Sequence, residues 1–299
     1  MADDDEIHFP PGFGVNDVVA WGITGVVVLD TGRKEPTVIK TAIDKSSHPA
    51  IERERQIYMR LERHGTHDGI LSYHGDVGDA GIRLEYACNH DLKSYIKTHE
   101  CRQDMALRWI IQLAEALEFV HSAGIIHGDL TTANVFLDGE LDVKLADFAG
   151  SSIDSLPLLV AITPSSEYPG NLLSVRGDLF AFGSLAYELL TGERPYATLS
   201  EAQIQARYQQ RDFPDVTSLG SIGHVIRSCW EGQYHSSKDV ANDLKGKCLF
   251  PDCLCITNSH PAIRDTPATT SDEPWLPHIL LGIGACVLGA FVCKRLARN

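Results

Sequence analysis

Three polar residues stand at spacings that could bring them around one ion: Asp129, Asn134 and Asp147. Asn134 follows Asp129 by five residues, and Asp147 follows Asn134 by thirteen, just after a β-like run at 143–145. Carboxylate and amide oxygens suit Mg²⁺, which combines a few protein ligands with substrate phosphate oxygens. Each signal alone also fits a simpler origin, because the first Asp could lie in a turn and the second above a core Phe148. Together they indicate a magnesium–phosphate site.

The elements that must hold these residues change in type near residue 90. Before it, a helical period at 51–61 interrupts short β-rich runs. After it, amphipathic helical spacing dominates. Strands are predicted at 18–20, 26–29, 37–42, 70–73 and 82–86, and helices at 105–121, 179–190, 223–230 and 238–244. The pattern predicts an α+β protein whose strands and helices are segregated along the chain.

Short motifs in a fixed order give the chain its resemblance to the protein-kinase superfamily. The run HGDLTTAN at 127–134 resembles the catalytic loop H-R-D-L-x-x-x-N, and DFA at 147–149 resembles D-F-G. The run AWGITGVV at 20–27 resembles the glycine-rich loop, with Ala in place of its first Gly. VIK at 38–40 resembles the end of the motif that carries the third-strand lysine, and Glu54 is placed like the acid that pairs with it.

Further matches follow in the expected order: DLFAFG at 178–183, YELLTGERPY at 187–196 and CW at 229–230. The resemblance covers about residues 15–250. Within the superfamily, the sequence is similar to the divergent kinase-like sequences of filamentous fungi. It implies a two-lobed fold, with a β-rich N-lobe at 15–86 and a helical C-lobe at 87–250 after an acidic tail at 1–14.

The resemblance also implies a role for each matching residue. Asp129, Lys40 and Glu54 would be catalytic, although Glu52, two residues from Glu54, could instead be the partner of Lys40. The residues expected to contact ATP are Ala20, Gly22, Gly25, Val27, Lys40, Glu85, Asn134 and Asp147. Asn134 and Asp147 would bind Mg²⁺. The implied function is an ATP-dependent protein kinase, of Ser/Thr type, acting on a protein hydroxyl.

Five departures from the family pattern keep other functions open. Gly128 replaces the catalytic-loop Arg, and Ala149 replaces the Gly of D-F-G. Thr131 and Ala133 stand at the two positions where kinases usually carry a cation near the transferred phosphate. The A-P-E motif is unclear, its nearest text being SEYP at 166–169. The alternatives are a pseudokinase that binds ATP or acts as a scaffold, and a small-molecule kinase of the same fold.

The C-terminus predicts a membrane anchor. Residues 251–274 read as a linker, and 275–293 contain 19 uncharged residues, against about 20 for a full span. Trp275 and the basic tail at 294–299 suit the two interfaces, although a buried core helix or an apolar tail on a soluble kinase is the alternative. We therefore expect a C-terminal hydrophobic helix, with the kinase domain facing the cytosol.

Composition narrows the partners. The 299 residues carry a net charge of -14, which disfavours nucleic-acid binding because that requires clustered Lys and Arg. The eight cysteines are scattered rather than paired in a short framework, which favours a reducing compartment such as the cytosol.

Overall fold

An antiparallel sheet forms the first part of the chain in the computed structural model, which describes residues 9–78 and 81–248. The strands lie in the order β1-β2-β3-β5-β4. Their bounds are Val18–Trp21 (β1), Gly25–Asp30 (β2), Thr37–Ala42 (β3), Tyr73–Val77 (β4) and Gly81–Glu85 (β5). Central β3 is buried along almost its whole length and is rich in β-branched residues, which pack well on a pleated surface.

One long helix packs against this sheet. Helix α1 spans His48–His64 and buries an apolar side that includes Ile51, Ile57 and Leu61. Pro49 lies in its first turn, where a missing N–H costs no helical hydrogen bond. The same buried side carries a carboxylate, Glu54, that is completely inaccessible to solvent. A fully buried acid requires a partner, so this helix positions a site as well as part of the core.

Helices dominate after the sheet. They are α2 (Leu92–Thr98), α3 (Gln103–Ser122), α4 (Val175–Thr191), α5 (Glu201–Gln209), α6 (Gly220–Glu231) and α7 (Ser237–Cys248). Two small antiparallel pairs lie between α3 and α4. They join β6 (Ile125–Ile126) to β9 (Ser152–Ile153), and β7 (Val135–Leu137) to β8 (Val143–Leu145).

The segregation of sheet and helices confirms the predicted α+β class with a β-rich lobe and a helical lobe. One predicted strand was wrong: β4 begins at Tyr73, whereas Ile70 forms only an isolated bridge to Leu145. The apolar residues there are buried because they connect the sheet to the β7–β8 pair, where the Leu71 N–H donates to the Leu145 carbonyl at 3.0 Å. Helices α2 and α5 were not predicted individually.

Within the described part of the chain, no helix has both the length and the apolar character that crossing a bilayer requires. The predicted linker at 251–274, the predicted membrane helix at 275–293 and the basic tail at 294–299 lie outside the described residues, as do the first eight residues of the acidic tail.

Candidate active site

Four residues on neighbouring strands of the five-stranded sheet lie directly opposite one another, in a row that includes Lys40. Ala20 pairs with Val27, Val27 with Lys40, and Lys40 with Ile82. Directly opposed residues on neighbouring strands project from the same face of a sheet. Ala20 and Val27 therefore share the face on which Lys40 meets its acidic partners.

Lys40 lies between two carboxylates from distant parts of the chain. Its Nζ is 2.7 Å from Glu54 Oε2 and 2.6 Å from Asp147 Oδ1. The Lys40 side chain is 11% exposed, Glu54 is fully buried, and the Asp147 side chain remains 43% exposed. The neighbouring candidate, Glu52, instead pairs with Arg55 at the surface.

The charges of this triad shift one another's pKa values. Burial alone would lower the pKa of Lys40, but the carboxylates of Asp147 and Glu54 outweigh burial and raise it. Burial also dominates at Glu54, whose pKa is raised despite the nearby amine. At Asp147 the amine outweighs burial and lowers the pKa. Lys40 and Asp147 are therefore held in their charged forms.

A cluster of packed rings fixes the position of Asp147. Asp147 has a φ of 63°, a left-handed conformation that is uncommon for a residue with a side chain. The next residue, Phe148, is fully buried, with its ring 5.3 Å from Tyr58 of α1 and 5.1 Å from His127. Its N–H donates to Glu54 Oε1 at 3.3 Å. The packed ring thus holds the Asp147 carboxylate against Lys40.

The catalytic-loop residues lie beside Asp147 because of the β7–β8 pair. Asn134 immediately precedes β7, and its carbonyl accepts a hydrogen bond from the Ala146 N–H at 3.0 Å. Its side-chain Nδ2 donates to the carbonyl oxygen and to Oδ2 of Asp129, at 2.7 and 2.9 Å. The pKa of Asp129 is raised, first by burial and further by the charge of Asp147. A carboxylate with a raised pKa is a better proton acceptor.

A buried carboxylate from α4 anchors this loop. Asp178 is 1% exposed and accepts hydrogen bonds from the N–H groups of His127 and Gly128, at 2.7 and 2.8 Å. His121 Nε2 lies 2.8 Å from the same carboxylate. Sequence reasoning recognised the motif around Asp178 but gave the residue no role. Its place in the apolar run DLFAFG was the available signal, because a buried acid needs partners.

The two predicted loop glycines have different surroundings. A Cβ added to Gly25 would lie 2.7 Å from the Thr41 carbonyl oxygen, so β2 can approach β3 only without a side chain there. Around Gly22 the nearest such contact is a normal 3.6 Å. The Gly22 N–H donates to the Gly25 carbonyl at 2.8 Å, which closes the turn between β1 and β2. Gly25 therefore has a packing role of its own.

The side chain of Glu85 is turned away from the triad. Its Oε2 accepts hydrogen bonds from the N–H and hydroxyl of Ser72, at 3.1 and 2.9 Å, and Oε1 lies 3.8 Å from Lys144. Alternation along β5 also assigns Glu85 to the opposite face from Ile82, the strand neighbour of Lys40. Glu85 is the one predicted contact residue whose side chain the structure does not bring toward the others.

The segment after Asp147 is held without the missing catalytic-loop Arg. Gly128 has a φ of 75°, and a Cβ there would lie 2.3 Å from Leu158 Cδ2. Arg53 of α1 donates to the carbonyls of Ser151 and Pro157, at 2.7 and 3.0 Å. Leu158 therefore occupies the space beside Gly128, and Arg53 holds the segment after Asp147 through its carbonyl groups. Ala149 has no positive φ, so replacing the family's Gly costs no backbone strain there.

The segment at 166–169, which is the nearest match to A-P-E, forms no ion pair within the described part of the chain. Ser166 ends a short 3₁₀ turn at Pro164–Ser166, and the Tyr208 hydroxyl donates to the Ser165 carbonyl at 3.0 Å. Glu167 accepts from Gln205 rather than from an arginine. Hydrogen bonds from the uncharged donors Gln205 and Tyr208, together with the buried Tyr208 ring, anchor the end of this segment.

A β-rich lobe and a helical lobe that bring a lysine, three acids and an asparagine together define the class of protein kinases. The chain matches the protein kinase domain over residues 22–255, and it therefore belongs to this family.

Proteins similar in sequence to this chain are also named as protein kinases. The chain is 26% identical to mitogen-activated protein kinase 15 of Caenorhabditis elegans over 89% of this chain and 60% of the relative. It is 25% identical to the serine/threonine/tyrosine-protein kinase HT1 of Arabidopsis thaliana, over 64% and 53% of the two chains. It is 29% identical to serine/threonine-protein kinase ppk21 of Schizosaccharomyces pombe, over 64% and 37%. The matched region spans 60% or less of each of these relatives.

Proposed function

We propose that this protein is an ATP-dependent protein kinase of Ser/Thr type, which transfers the γ-phosphate of Mg-ATP to a protein hydroxyl. The observation that carries the proposal is Lys40 bridging Glu54 and Asp147, next to a loop on which Asn134 orients Asp129. Relatives named serine/threonine-protein kinases support the substrate class.

The residues fit a magnesium–nucleotide complex. The Asp147 side chain is 43% exposed, so its carboxylate is accessible from the cleft. Asn134 uses its Nδ2 for Asp129, while its amide oxygen has no hydrogen-bond partner among the described residues. A carboxylate and a free amide oxygen are ligands that Mg²⁺ accepts. When bound, the metal would neutralise charge on the phosphates.

Each side chain then has a defined task. Lys40, held in its charged form by Glu54 and Asp147, binds the phosphates near the β2–β3 surface. Asp129 orients the substrate hydroxyl and accepts its proton, aided by its raised pKa. Ala20 and Val27 line the same face as Lys40 and would cover the adenine. Any contact from Glu85 would come from its backbone, because its carboxylate is bound to Ser72.

One observation favours the alternative of a pseudokinase. Thr131 and Ala133 leave the catalytic loop between Asp129 and Asn134 without a cation. A cation there would stabilise the transferring phosphate, so its absence predicts slow transfer. Nucleotide binding through Lys40 and Asp147 would remain.

Substitution of Asp129 by Asn separates these two functions. In the full-length protein with Mg-ATP, we expect wild type to label a generic protein substrate or itself. Asp129→Asn should lower the rate by about 10²–10⁴-fold, because it removes the proton acceptor while leaving the loop intact. Transfer of radiolabelled phosphate measures the rate, and the Mg-ATP-dependent rise in melting temperature measures binding.

Asp104→Asn is the matched control, since Asp104 is an exposed acid on α3 that forms a surface ion pair with Arg102. It should leave both readouts unchanged. If wild type and Asp129→Asn were equally inactive while Mg-ATP still raised the melting temperature, the protein would be a nucleotide-binding pseudokinase. No melting shift and no transfer would remove both functions.

We also propose, from sequence alone, that residues 275–293 anchor the protein in a membrane with the kinase domain in the cytosol. The full chain should pellet with membranes and resist carbonate extraction, whereas deletion of 275–299 should release it to the soluble fraction. An equal soluble fraction for both forms would contradict the anchor.

A further inference from the structure

Three cations come together at the start of the helical lobe. Lys93 and Lys97 lie four residues apart on α2, which places them on one face of that helix. Arg194 follows the end of α4, and after burial its charge is the main cause of the shifted pKa values of both Lys93 and Glu188. Lys97 and Arg194 are exposed, and Lys93 is half-buried. We call Lys93, Lys97 and Arg194 the basic cluster.

The basic cluster is fixed next to the proposed catalytic loop. The N–H of Lys93 donates to the Thr132 carbonyl at 3.0 Å, and Thr132 stands three residues after Asp129. The Thr132 hydroxyl donates to Glu188 at 3.3 Å, which ties the same loop to the end of α4. Three residues of chain span at most about 10 Å. The point where Lys93 meets this loop therefore lies within about 10 Å of Asp129, which is within reach of a peptide that presents a hydroxyl there.

The cations of the basic cluster form no ion pair within the described part of the chain. No carboxylate in residues 9–78 or 81–248 forms an ion pair with Lys93, Lys97 or Arg194, although other cations of this acidic protein do, such as Arg60 with Asp154. Burial, then the charges of Arg194 and Lys97, lower the pKa of Lys93.

Two acids lie near enough to act on Lys93, namely Glu188 and Asp91. Asp91 caps α2, with both of its oxygens bound to Ser94. Glu188 is half-buried and hydrogen-bonded to Thr132, so these two carboxylates face three cations. Like charges held together raise the free energy of the folded protein, and a bound anion would recover that cost.

We propose that the basic cluster binds an anionic side chain of the substrate peptide, a carboxylate or a phosphate, within a few residues of the phosphorylated hydroxyl. The inference rests on the proposed kinase function and adds the substrate class: acidic or previously phosphorylated sequences. An extended peptide advances about 3.3 Å per residue, so the anion would lie about two to four residues from the acceptor.

Peptide binding tests this specificity without requiring catalysis. Fluorescence anisotropy with the full-length protein and Mg-ADP would compare four labelled peptides around one Ser, carrying flanking Glu, phosphoserine, Ala or Lys. We expect the Glu and phosphoserine peptides to bind about tenfold more tightly than the Ala peptide, and the Lys peptide more weakly. The difference should shrink in 0.5 M salt, because these charges are exposed.

The double variant Lys97→Glu/Arg194→Glu reverses two exposed charges and should abolish the preference. Lys34→Glu, an exposed cation on the β2–β3 connection, is the matched control and should retain it. In phosphate transfer, the double variant should raise KM for the Glu peptide about tenfold with kcat unchanged. Preference for phosphoserine over Glu would identify a phosphate as the anion.

Equal affinity for all four peptides, or equal loss in the control, would overturn the basic cluster as a specificity site even if the protein transfers phosphate. If the acidic peptides bound more tightly than the Ala peptide only after deletion of residues 1–8, the chain's own acidic tail would be the occupant of the cluster, and the proposal would be overturned too. Acidic preference without phosphate transfer would retain the binding site and reject the kinase activity.

Discussion

Replacing Asp178 by Ala should lower the free energy of unfolding by about 3–5 kcal/mol. The carboxylate is buried and accepts the N–H groups of His127 and Gly128, so its removal leaves two buried donors without partners. His121 Nε2 loses its partner as well. Because domains are stable by only about 5–15 kcal/mol, this is a large fraction of the total. Urea denaturation followed by circular dichroism measures the change.

The stability that the charged Asp178 carboxylate provides should depend on pH, and Asp178→Asn, which keeps the side chain's shape but cannot ionise, isolates this dependence. Burial alone would raise the pKa of Asp178, but the hydrogen bond and charge of His121, with the Gly128 N–H, outweigh burial and lower it. A group whose pKa is lower when folded stabilises the protein above its unfolded pKa, and this contribution is lost as the pH falls through the folded pKa. The stability difference between wild type and Asp178→Asn should therefore narrow below about pH 4.

Asp212→Ala is the comparison for this variant. Asp212 is a half-exposed acid on the same lobe and pairs with Arg207 at 2.6 Å. Exposed pairs contribute about 0–1 kcal/mol, so its loss should be small. If Asp178→Ala destabilised the protein no more than Asp212→Ala, Asp178 would not anchor the catalytic loop.

The elements that sequence predicted best have strong local patterns. Strand β3 was predicted at 37–42, the bounds it has, because its β-branched residues are buried between two neighbours. The seven-residue α2 was missed because Leu92 is its only buried residue and no apolar period develops. In α5, only Ile204 and Tyr208 are buried, which is again too few to show a helical face. Short helices with little buried surface depend on tertiary contacts rather than on their own pattern.

The sequence predicted the residues of the site only where they belong to a recognisable motif. Lys40 and Asp147 are 107 residues apart, and no periodicity connects them. The choice between Glu54 and Glu52 was open in the sequence and is made by helix geometry, since α1 turns Glu54 inward and leaves Glu52 exposed. Leu158 packing over Gly128 had no sequence signal, because it depends on how the segment after Asp147 folds back.

Replacing Lys40 by Met should reduce phosphate transfer by about 10²–10³-fold. The amine is the cation between Glu54 and Asp147, and without it the two carboxylates repel each other and the nucleotide phosphates. The Mg-ATP-dependent rise in melting temperature should shrink in parallel. Transfer of radiolabelled phosphate at saturating ATP separates the loss of rate from the loss of binding.

The same variant should also become less stable as the pH rises. Burial already raises the pKa of Glu54, and removing Lys40 takes away the charge that opposes burial. A carboxyl whose folded pKa lies above its unfolded pKa gives stability at low pH that is lost as the pH rises through the folded pKa, by about 1.4 kcal/mol for each pKa unit. Lys40→Met should therefore unfold in less urea at pH 8 than at pH 5, relative to wild type.

The double variant Lys40→Met/Glu54→Gln isolates this charge. With no ionisable group at position 54, its stability relative to wild type should lack the loss between pH 5 and pH 8, and at pH 8 it should be more stable than Lys40→Met alone. Breaking a buried pair is costly mainly because one charge stays behind, so removing both should recover stability but not transfer. Equal pH dependence in the single and double variants would mean that Glu54 does not need Lys40 to remain ionised.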